Sequence, residues 1–585
     1  MKNDTGYPSV DRKYEKENGI LKNHPFIPSV SVYNALGMIS SFYRDAVAVD
    51  CLDLRITYQE LLNTSKILSR AFKELGIKPN DIIATSMPNF FQAIAVYLAA
   101  SRIGAVTTFL NPGCSVEETK YYLNEFESPL FINYDKSLEY NLNIKKDTKV
   151  RQVITLNRND INIKRFNDIK SGDIGYSDFI SFNDMKLIAD YYKQYINTSF
   201  GGKQDSLILF TSGSSGIPKS VVLTNENILA SGIYMKNTGN INTAIGERCL
   251  VCVPFSYPYG FVSSALASLL TGREAVLAPN LSKDNIEYFL SKNPNMVFGS
   301  PALLELIRKN VSETQDLSSV HSFISGGDFL SQAQAAEGKL FFREHNSNVE
   351  IYNGSGNAES VGASTMPLGA EVRPETVGRV LLGSQAIVVD PETLEEKKYG
   401  EEGMLCVSGK HVFKEYYKNP ELTEQAKFIF KGREYLKTGT MGRLDEKGYF
   451  TLTGRASRFF IRADLNKVYC EHVQQVVNNI DGVEACVVVP KPDDELLYIS
   501  KVYIVLKQGI VASDEMIEYI IEKCKHPVIN KQTGECMELK SFEIPQSISF
   551  IDEIPRTQSA DKINYRKLEE MAKEEYELEK TNKIL

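Results

Sequence analysis

Apolar positions along this chain fall into short runs that switch between two periods. Thr57-Tyr58-Gln59-Glu60-Leu61-Leu62 opens a stretch with apolar residues three to four apart, which predicts an amphipathic helix to about Leu75, with Gly76 as its stop. Asp81 to Met87 reads as a buried strand ended by Pro88-Asn89. Phe90 to Gly104 returns to helical spacing, and Ala105-Val106-Thr107-Thr108 is a second strand. Strand, helix and strand in that order predict parallel pairing through a right-handed crossover.

The pattern then changes twice. Asp147 to Gly202 is rich in Asn, Asp and Lys and reads as a loosely structured surface insertion. From Val377 to Val407 the apolar runs shorten to strand length with Gly and Pro punctuation, as in a small antiparallel sheet or barrel. A boundary falls near Gly454. A βαβ-like segment follows it, with a helix from Val468 to Asn479 and strands at Ala485 to Val489 and Lys501 to Leu506. Lys567 to Lys583 is a Glu/Lys-rich helix or tail whose charges read as a solvated face. No period of 20–50 residues repeats, which excludes a solenoid or propeller.

Composition narrows the class. The 585 residues carry a net charge of -8 and a pI near 5.6, without the electrostatic footprint of a nucleic-acid binder. The longest apolar runs, such as Ala93 to Ala100, fall far short of a bilayer span, and Met1-Lys2-Asn3-Asp4 begins no secretory signal. Nine cysteines at irregular spacings, with Cys249-x-x-Cys252 as the lone close pair, fit reduced thiols better than a zinc site. His24, His321, His345, His411, His472 and His526 are scattered and read as structural. A cytoplasmic enzyme is the expectation.

The strongest chemical signal is Leu207-Ile208-Leu209-Phe210-Thr211-Ser212-Gly213-Ser214-Ser215-Gly216-Ile217-Pro218-Lys219-Ser220, followed by Val221-Val222-Leu223-Thr224. A strand runs into a loop of Gly and hydroxyl residues with one Lys, then into another strand. Small residues let backbone N–H groups approach phosphate oxygens, hydroxyls add donors, and the Lys supplies a point charge. A P-loop register from Gly213 puts Pro218 where its second Gly belongs, and a strand where its helix belongs. A strand–loop–strand phosphate clamp fits better. Gly354-x-Gly356 lacks the third glycine of a dinucleotide fingerprint, since Glu359 stands there.

This loop resembles the phosphate loop of the adenylate-forming superfamily, which comprises acyl- and aryl-CoA synthetases, adenylation domains and luciferases. Further matches follow in the family's order: Pro254-Phe255-Ser256-Tyr257-Pro258-Tyr259-Gly260, Ser325-Gly326-Gly327-Asp328, Asn353-Gly354-Ser355-Gly356-Asn357-Ala358-Glu359, Thr438-Gly439-Thr440, Gly454-Arg455, and Pro555-Arg556-Thr557 with Lys562-Ile563-Asn564-Tyr565-Arg566. The resemblance covers nearly the whole chain. It implies an α/β fold. Residues 1–453 would form a large multilayer domain of parallel-rich sheets flanked by helices, with a small β-barrel-like subdomain. Residues 454–460 would be a hinge about Ser457, and residues 461–585 a small mobile α+β lid.

The resemblance also implies the chemistry. A carboxylate attacks the α-phosphate of Mg-ATP, giving an acyl-adenylate and pyrophosphate. The acyl group then passes to the thiol of coenzyme A, or to the pantetheine of a carrier protein on a separate chain. Thr211, Ser212, Gly213, Ser214, Ser215, Gly216 and Lys219 would hold the β/γ-phosphates, Glu359 the Mg²⁺, and Arg455 and Thr440 the ribose. Gly326, Gly327, Asn353, Gly354, Ser355 and Gly356 would surround the base. Tyr257, Gly260, Ser300, Gly326 and Gly354 would line the acid pocket. Lys562 would bridge the carboxylate and the α-phosphate, so Lys562, Lys219 and Glu359 are the catalytic candidates.

Departures from the family pattern cluster at the nucleotide. Thr440 replaces an acid that accepts from both ribose hydroxyls, and losing one such bond costs about 1–3 kcal/mol. Ser355 replaces an aromatic, Ala358 a hydroxyl, and Leu465 a glycine, while Ala560-Asp561 replaces Ser-Gly before Lys562. Two functions stand at this point. One is an acid–thiol ligase acting on a carboxylic acid, aliphatic or aromatic, since no anion near Phe255–Tyr257 awaits an ammonium group. The other is a degenerate homologue that binds or scaffolds and adenylates weakly or not at all.

Overall fold

The computed structural model describes residues 4–157, 179–211, 219–239, 244–327, 330, 332–367, 371, 373, 375–455, 459–462, 467–529, 536–556 and 563–584. An eight-stranded sheet runs in the order Glu415–Tyr416, Ser220–Thr224, Asp205–Phe210, Val106–Phe109, Ile82–Ser86, Leu130–Tyr134, Gln152–Leu156 and Phe179–Ser181. From Asp205–Phe210 onward its neighbours are parallel, and the first two strands join antiparallel. The strand–helix–strand expected at Asp81 to Thr108 is present as Ile82–Ser86, Phe91–Ile103 and Val106–Phe109. Every residue of that helix except Arg102 is buried, as suits a helix apolar on all sides between layers.

A seven-stranded sheet packs beside the first, in the order Glu350–Asn353, Ser322–Ser325, Met296–Gly299, Arg248–Val251, Glu274–Leu277, Val47–Cys51 and Leu54–Thr57. All neighbours are parallel except the closing hairpin. Ile83, Ile132, Leu207 and Leu223 of one sheet share a core with Val49, Val251, Leu277 and Ile324 of the other. The helix Tyr58–Glu74 enters this core through a capping box of Thr57 and Glu60. The runs after Val377 form an antiparallel five-stranded sheet from Gln385–Val389, Glu402–Ser408, Lys427–Phe430, Arg433–Leu444 and Phe450–Arg455.

Three expectations change. The stretch Asp147 to Gly202 is no loose insertion where it is described. Gln152–Leu156 and Phe179–Ser181 extend the large sheet, and Met185–Tyr191 buries Met185, Ile188 and Ala189. Short apolar triplets between polar residues suffice for an edge position, and the average composition conceals them. The C-terminal segment is not βαβ-like either. After the helix Cys470–Asn478, Val483–Asp493 and Leu497–Leu506 form an antiparallel hairpin that Ser547–Phe550 joins in parallel.

The terminal helix Tyr565–Ile584 is the third change, because it is not wholly solvated. Leu568 and Ala572 pack on Val487, Val489 and Tyr503 of the hairpin. The opposite face of the hairpin, with Val488, Val502 and Ile504, packs on Val473, Val477 and Ile520. That two-period alternation places one helix layer on each side. Two buried lysines of the hairpin reach across to the terminal helix: Lys491 to Glu579 at 2.7 Å, and Lys501 to Glu575. Among the described residues, no helix is long and apolar enough to cross a membrane.

Candidate functional site

Backbone pairing builds the base of the phosphate-type loop. Phe210 lies opposite Ser220, the Thr211 N–H donates to the Lys219 carbonyl at 3.0 Å, and the Lys219 N–H donates to Thr211 Oγ1 at 3.1 Å. Ser212, Gly213, Ser214, Ser215 and Gly216 lie outside the described residues. The strand Glu415–Tyr416 pairs on Ser220–Thr224, with Tyr416 opposite Val221. This pairing sets the Lys219 ammonium 5.3 Å from the Tyr416 ring centroid. The Tyr416 hydroxyl in turn donates to Glu359 Oε1 at 2.5 Å. Burial and then the Glu359 charge push the Tyr416 phenol well above its ordinary pKa, so it stays a donor.

Tyr416 escaped the sequence reading. A two-residue edge strand leaves no periodic trace, and its partner Glu359 is remote in the chain.

A second group sits where parallel strands end. Gly299, Ser325 and Asn353 are register partners at the carboxyl ends of three adjacent strands. The ladder continues one residue further, with Gly326 N–H to the Gly299 carbonyl at 3.0 Å and Gly354 N–H to the Ser325 carbonyl at 2.9 Å. Ser300, Gly326 and Gly354 therefore lie side by side at the kind of edge where open α/β sheets bind ligands. Ser300 also caps the helix Pro301–Asn310, its hydroxyl accepting from the Leu303 N–H. Beneath, the Tyr259 hydroxyl donates to the Ile324 carbonyl at 2.6 Å, and its ring would stand 3.1 Å from a Cβ at Gly326. Gly327 has φ +84°, where a side chain is strained.

Tyr257, Ser300, Gly326, Gly327 and Asn353 line one cleft of about 2620 Å³. Gly260 and Gly354 are not among its lining residues; a Cβ at Gly260 would lie 2.4 Å from the Val253 and Pro254 carbonyl oxygens, so this glycine serves close packing. Gly356 is likewise pressed against the Gly362 carbonyl. The Ser355 N–H donates to Thr365 Oγ1 at 3.1 Å, and Asn357 Nδ2 donates to the Thr438 carbonyl at 3.2 Å, which ties this segment to the strand Arg433–Leu444. On that strand the buried Thr440 lies opposite Arg455, and its N–H donates to Thr438 Oγ1 at 3.1 Å.

Chain from the C-terminal part supplies the other wall, including Tyr469, His472, Lys507 and Arg556. Arg556 and Ile563, which flank the segment bearing Lys562, form an antiparallel bridge, and the Asn564 N–H donates to the Pro555 carbonyl at 2.7 Å. Lys562, Ser457, Leu465, Ala560 and Asp561 lie outside the described residues. Among the described residues no group of three or more His, Cys, Asp and Glu side chains is placed to hold a metal ion.

Comparison with known proteins extends this geometry. Residues 40–417 match the AMP-binding enzyme family, and residues 472–560 match the AMP-binding enzyme C-terminal domain. The chain is similar to a long-chain-fatty-acid–CoA ligase of Bacillus subtilis (strain 168), 24% identical over 93% of this chain and 95% of that protein. It is also similar to luciferin 4-monooxygenase of Photuris pensylvanica, 24% identical over 95% and 98% of the two chains. ATP-bound MatB from Rhodopseudomonas palustris shares the fold with a TM-score of 0.77 at 20% identity, over 93% of this chain and 99% of that one. The anthranilate CoA ligase AuaEII in complex with anthranoyl-AMP has a TM-score of 0.76 at 19% identity, over 94% and 98%. With well over half of its length matched, the chain belongs to the AMP-binding enzyme family of the adenylate-forming superfamily.

Proposed function

We propose that this protein is an acid–thiol ligase, activating a carboxylic acid with ATP as an acyl-adenylate and passing the acyl group to coenzyme A. The observation that carries the reading is the closed base of the phosphate-type loop, Thr211 to Lys219, joined through Tyr416 to Glu359. It brings together a cation and a hydroxyl that suit phosphate oxygens and a carboxylate that suits their metal ion. CoA ligases among the relatives support the same chemistry. Thr211, Lys219 and the loop between them hold the β- and γ-phosphates. Thr440 and Arg455 face the ribose, and Asn353 with the Gly326–Gly327 turn borders the base.

Glu359 supplies a single carboxylate beside the phosphate-type loop, which fits Mg²⁺, an ion that takes one or two carboxylates and completes its shell with phosphate oxygens and water. Glu359 would hold the ion, which neutralises phosphate charge when bound. Lys562, a point-charge cation, aligns the acid's carboxylate with the α-phosphorus so that the Pα–O bond to pyrophosphate breaks as the new P–O bond forms. Residues 454–460, about Ser457, act as the pivot between residues 1–453 and the lid 461–585. The pocket edge at Tyr257, Ser300, Gly326 and Gly354 receives the acid.

Acid-dependent ATP–pyrophosphate exchange, followed by thioester formation with coenzyme A, tests the reading across straight-chain acids and benzoates. Exchange with at least one acid is expected. No exchange with any acid at high ATP and Mg²⁺ favours the second reading, a nucleotide-binding scaffold. One observation supports that alternative: the buried residue opposite Arg455 is Thr440, with no acid in its place.

A further inference from the structure

On the cleft wall formed by the C-terminal part, His472 Nδ1 lies 3.1 Å from Glu543 Oε1, and both residues line the cleft. His472 stands in the first turn of the helix Cys470–Asn478, its side chain 36% exposed, whereas Glu543 is buried. The second Glu543 oxygen accepts from the Lys540 N–H at 2.9 Å. Burial pushes the Glu543 carboxyl up, but His472 and that backbone donor together hold it below its ordinary value, so it is ionised at neutral pH. A carboxylate pinned at both oxygens fixes the tautomer of its histidine. With Nδ1 donating to Glu543, Nε2 is the ring nitrogen left to accept a proton.

The other described histidines are placed differently. His24 is exposed, His321 Nδ1 meets the Ser322 hydroxyl, His345 meets backbone carbonyls at both nitrogens, His411 is fully buried, and the carboxylate beside His526, Glu522, is exposed. The other charges lining this wall are Lys540 and Glu538 from the segment bearing Glu543, Glu484 from the hairpin, Lys507 just beyond it, and Asp552, Glu553 and Arg556 after the strand Ser547–Phe550; Glu471 lies on the helix of His472 itself.

We propose that His472 is the proton acceptor for the incoming thiol in the thioester-forming half-reaction, with Glu543 as its positioning residue. This rests on the acid–thiol ligase reading above. Nε2 takes the S–H proton, and the sulfur electron pair forms the C–S bond at the acyl carbonyl. The C–O bond to the phosphate breaks and AMP leaves with its electron pair. The imidazolium, stabilised by Glu543, returns its proton to water.

Octanoyl-adenylate and benzoyl-adenylate, supplied with coenzyme A to the full chain, read the thiol step alone; acid-dependent pyrophosphate exchange reads the other. His472→Ala is expected to slow thioester formation about 100-fold at pH 6.5, with exchange within twofold of the parent. The defect should shrink as pH rises toward the thiol pKa, and added imidazole should restore part of the rate. His472→Gln, closer to the parent in size and polarity, should show the same defect with an unchanged melting temperature. Glu543→Gln should lose about tenfold in the same step and displace its pH profile. Unchanged thioester formation in His472→Ala overturns the assignment, as does equal loss of both half-reactions, a defect indifferent to pH and imidazole, or a parent chain that forms no thioester from either adenylate. A parent that forms thioester from adenylate but exchanges with no acid overturns the adenylation reading alone.

Discussion

The Tyr416 hydroxyl donates to Glu359 Oε1 at 2.5 Å, while the same ring lies 5.3 Å from the Lys219 ammonium. One side chain on a sheet edge thus sets the distance between a carboxylate and a cation. Tyr416→Phe keeps the ring and the Lys219 contact but removes the donor. Hydrogen bonds to charged groups contribute about 1.5–3 kcal/mol, so kcat/KM for Mg-ATP should fall roughly tenfold or more. Tyr416→Leu, which also removes the ring, should fall further. Equal exchange kinetics for parent and Tyr416→Phe would contradict this.

Thr440→Asp restores a carboxylate opposite Arg455. Without nucleotide the buried acid is poorly solvated, so the melting temperature should drop. With ATP the ribose hydroxyls become its donors, and the nucleotide-induced rise in melting temperature should exceed that of the parent. A thermal-shift titration with ATP gives both numbers, and a smaller rise in the variant would count against a ribose site here.

Gly354 and Gly356 make a paired test. A Cβ at Gly354 would find Ser325 O at 3.6 Å, whereas one at Gly356 would meet Gly362 O at 2.4 Å. Gly356→Ala should destabilise the chain by about 1–3 kcal/mol, the usual range for overpacking, and Gly354→Ala by much less. Urea titrations of the two variants decide it.

His411 is fully buried beside Tyr234, and burial lowers its pKa from 6.5 to about 4. The folded chain binds that proton less readily than the unfolded chain. The resulting stability is complete above pH 6.5 and is lost as pH falls toward 4, with a slope of up to about 1.4 kcal/mol per pH unit. His411→Leu should remove that slope from unfolding free energies measured at pH 7, 6 and 5. Parallel curves for the two proteins would rule the effect out.

Lys501 is 2% exposed in its side chain, whereas its partner Glu575 is 31% exposed. Removing either partner is therefore not equivalent. Glu575→Ala strands a buried cation and should destabilise by about 3–5 kcal/mol, while Lys501→Met leaves a carboxylate that can reach water and should be milder. Denaturant titrations showing the reverse order would refute the asymmetry.

Local pattern disclosed much of this architecture. The run from Leu207 to Thr224 carried both strands of the phosphate-type loop, and the first strand–helix–strand unit was legible from periodicity. Pairing was not: Val483–Asp493 and Leu497–Leu506 read the same locally whether joined to each other or through a helix. The terminal helix was misread because Leu568 and Ala572 are the only buried side chains among those described on it, amid Glu and Lys, a stripe too thin to outweigh charge. At the site, residues in glycine-rich motifs were visible. Tyr416 and the pair of His472 with Glu543 were not, since each depends on a contact between distant segments.

The pairing of Glu415–Tyr416 on Ser220–Thr224 also orders events during synthesis. About 200 residues separate the two strands, so at roughly 5–20 residues per second the ribosome makes the inner strand some 10–40 s before its cover. Throughout that interval one edge of the eight-stranded sheet lacks its partner, an open row of N–H and C=O groups that other nascent chains can join. Truncation before Glu415 makes that exposure permanent. Aggregation during expression is therefore expected to depend on the same two-residue strand that carries Tyr416.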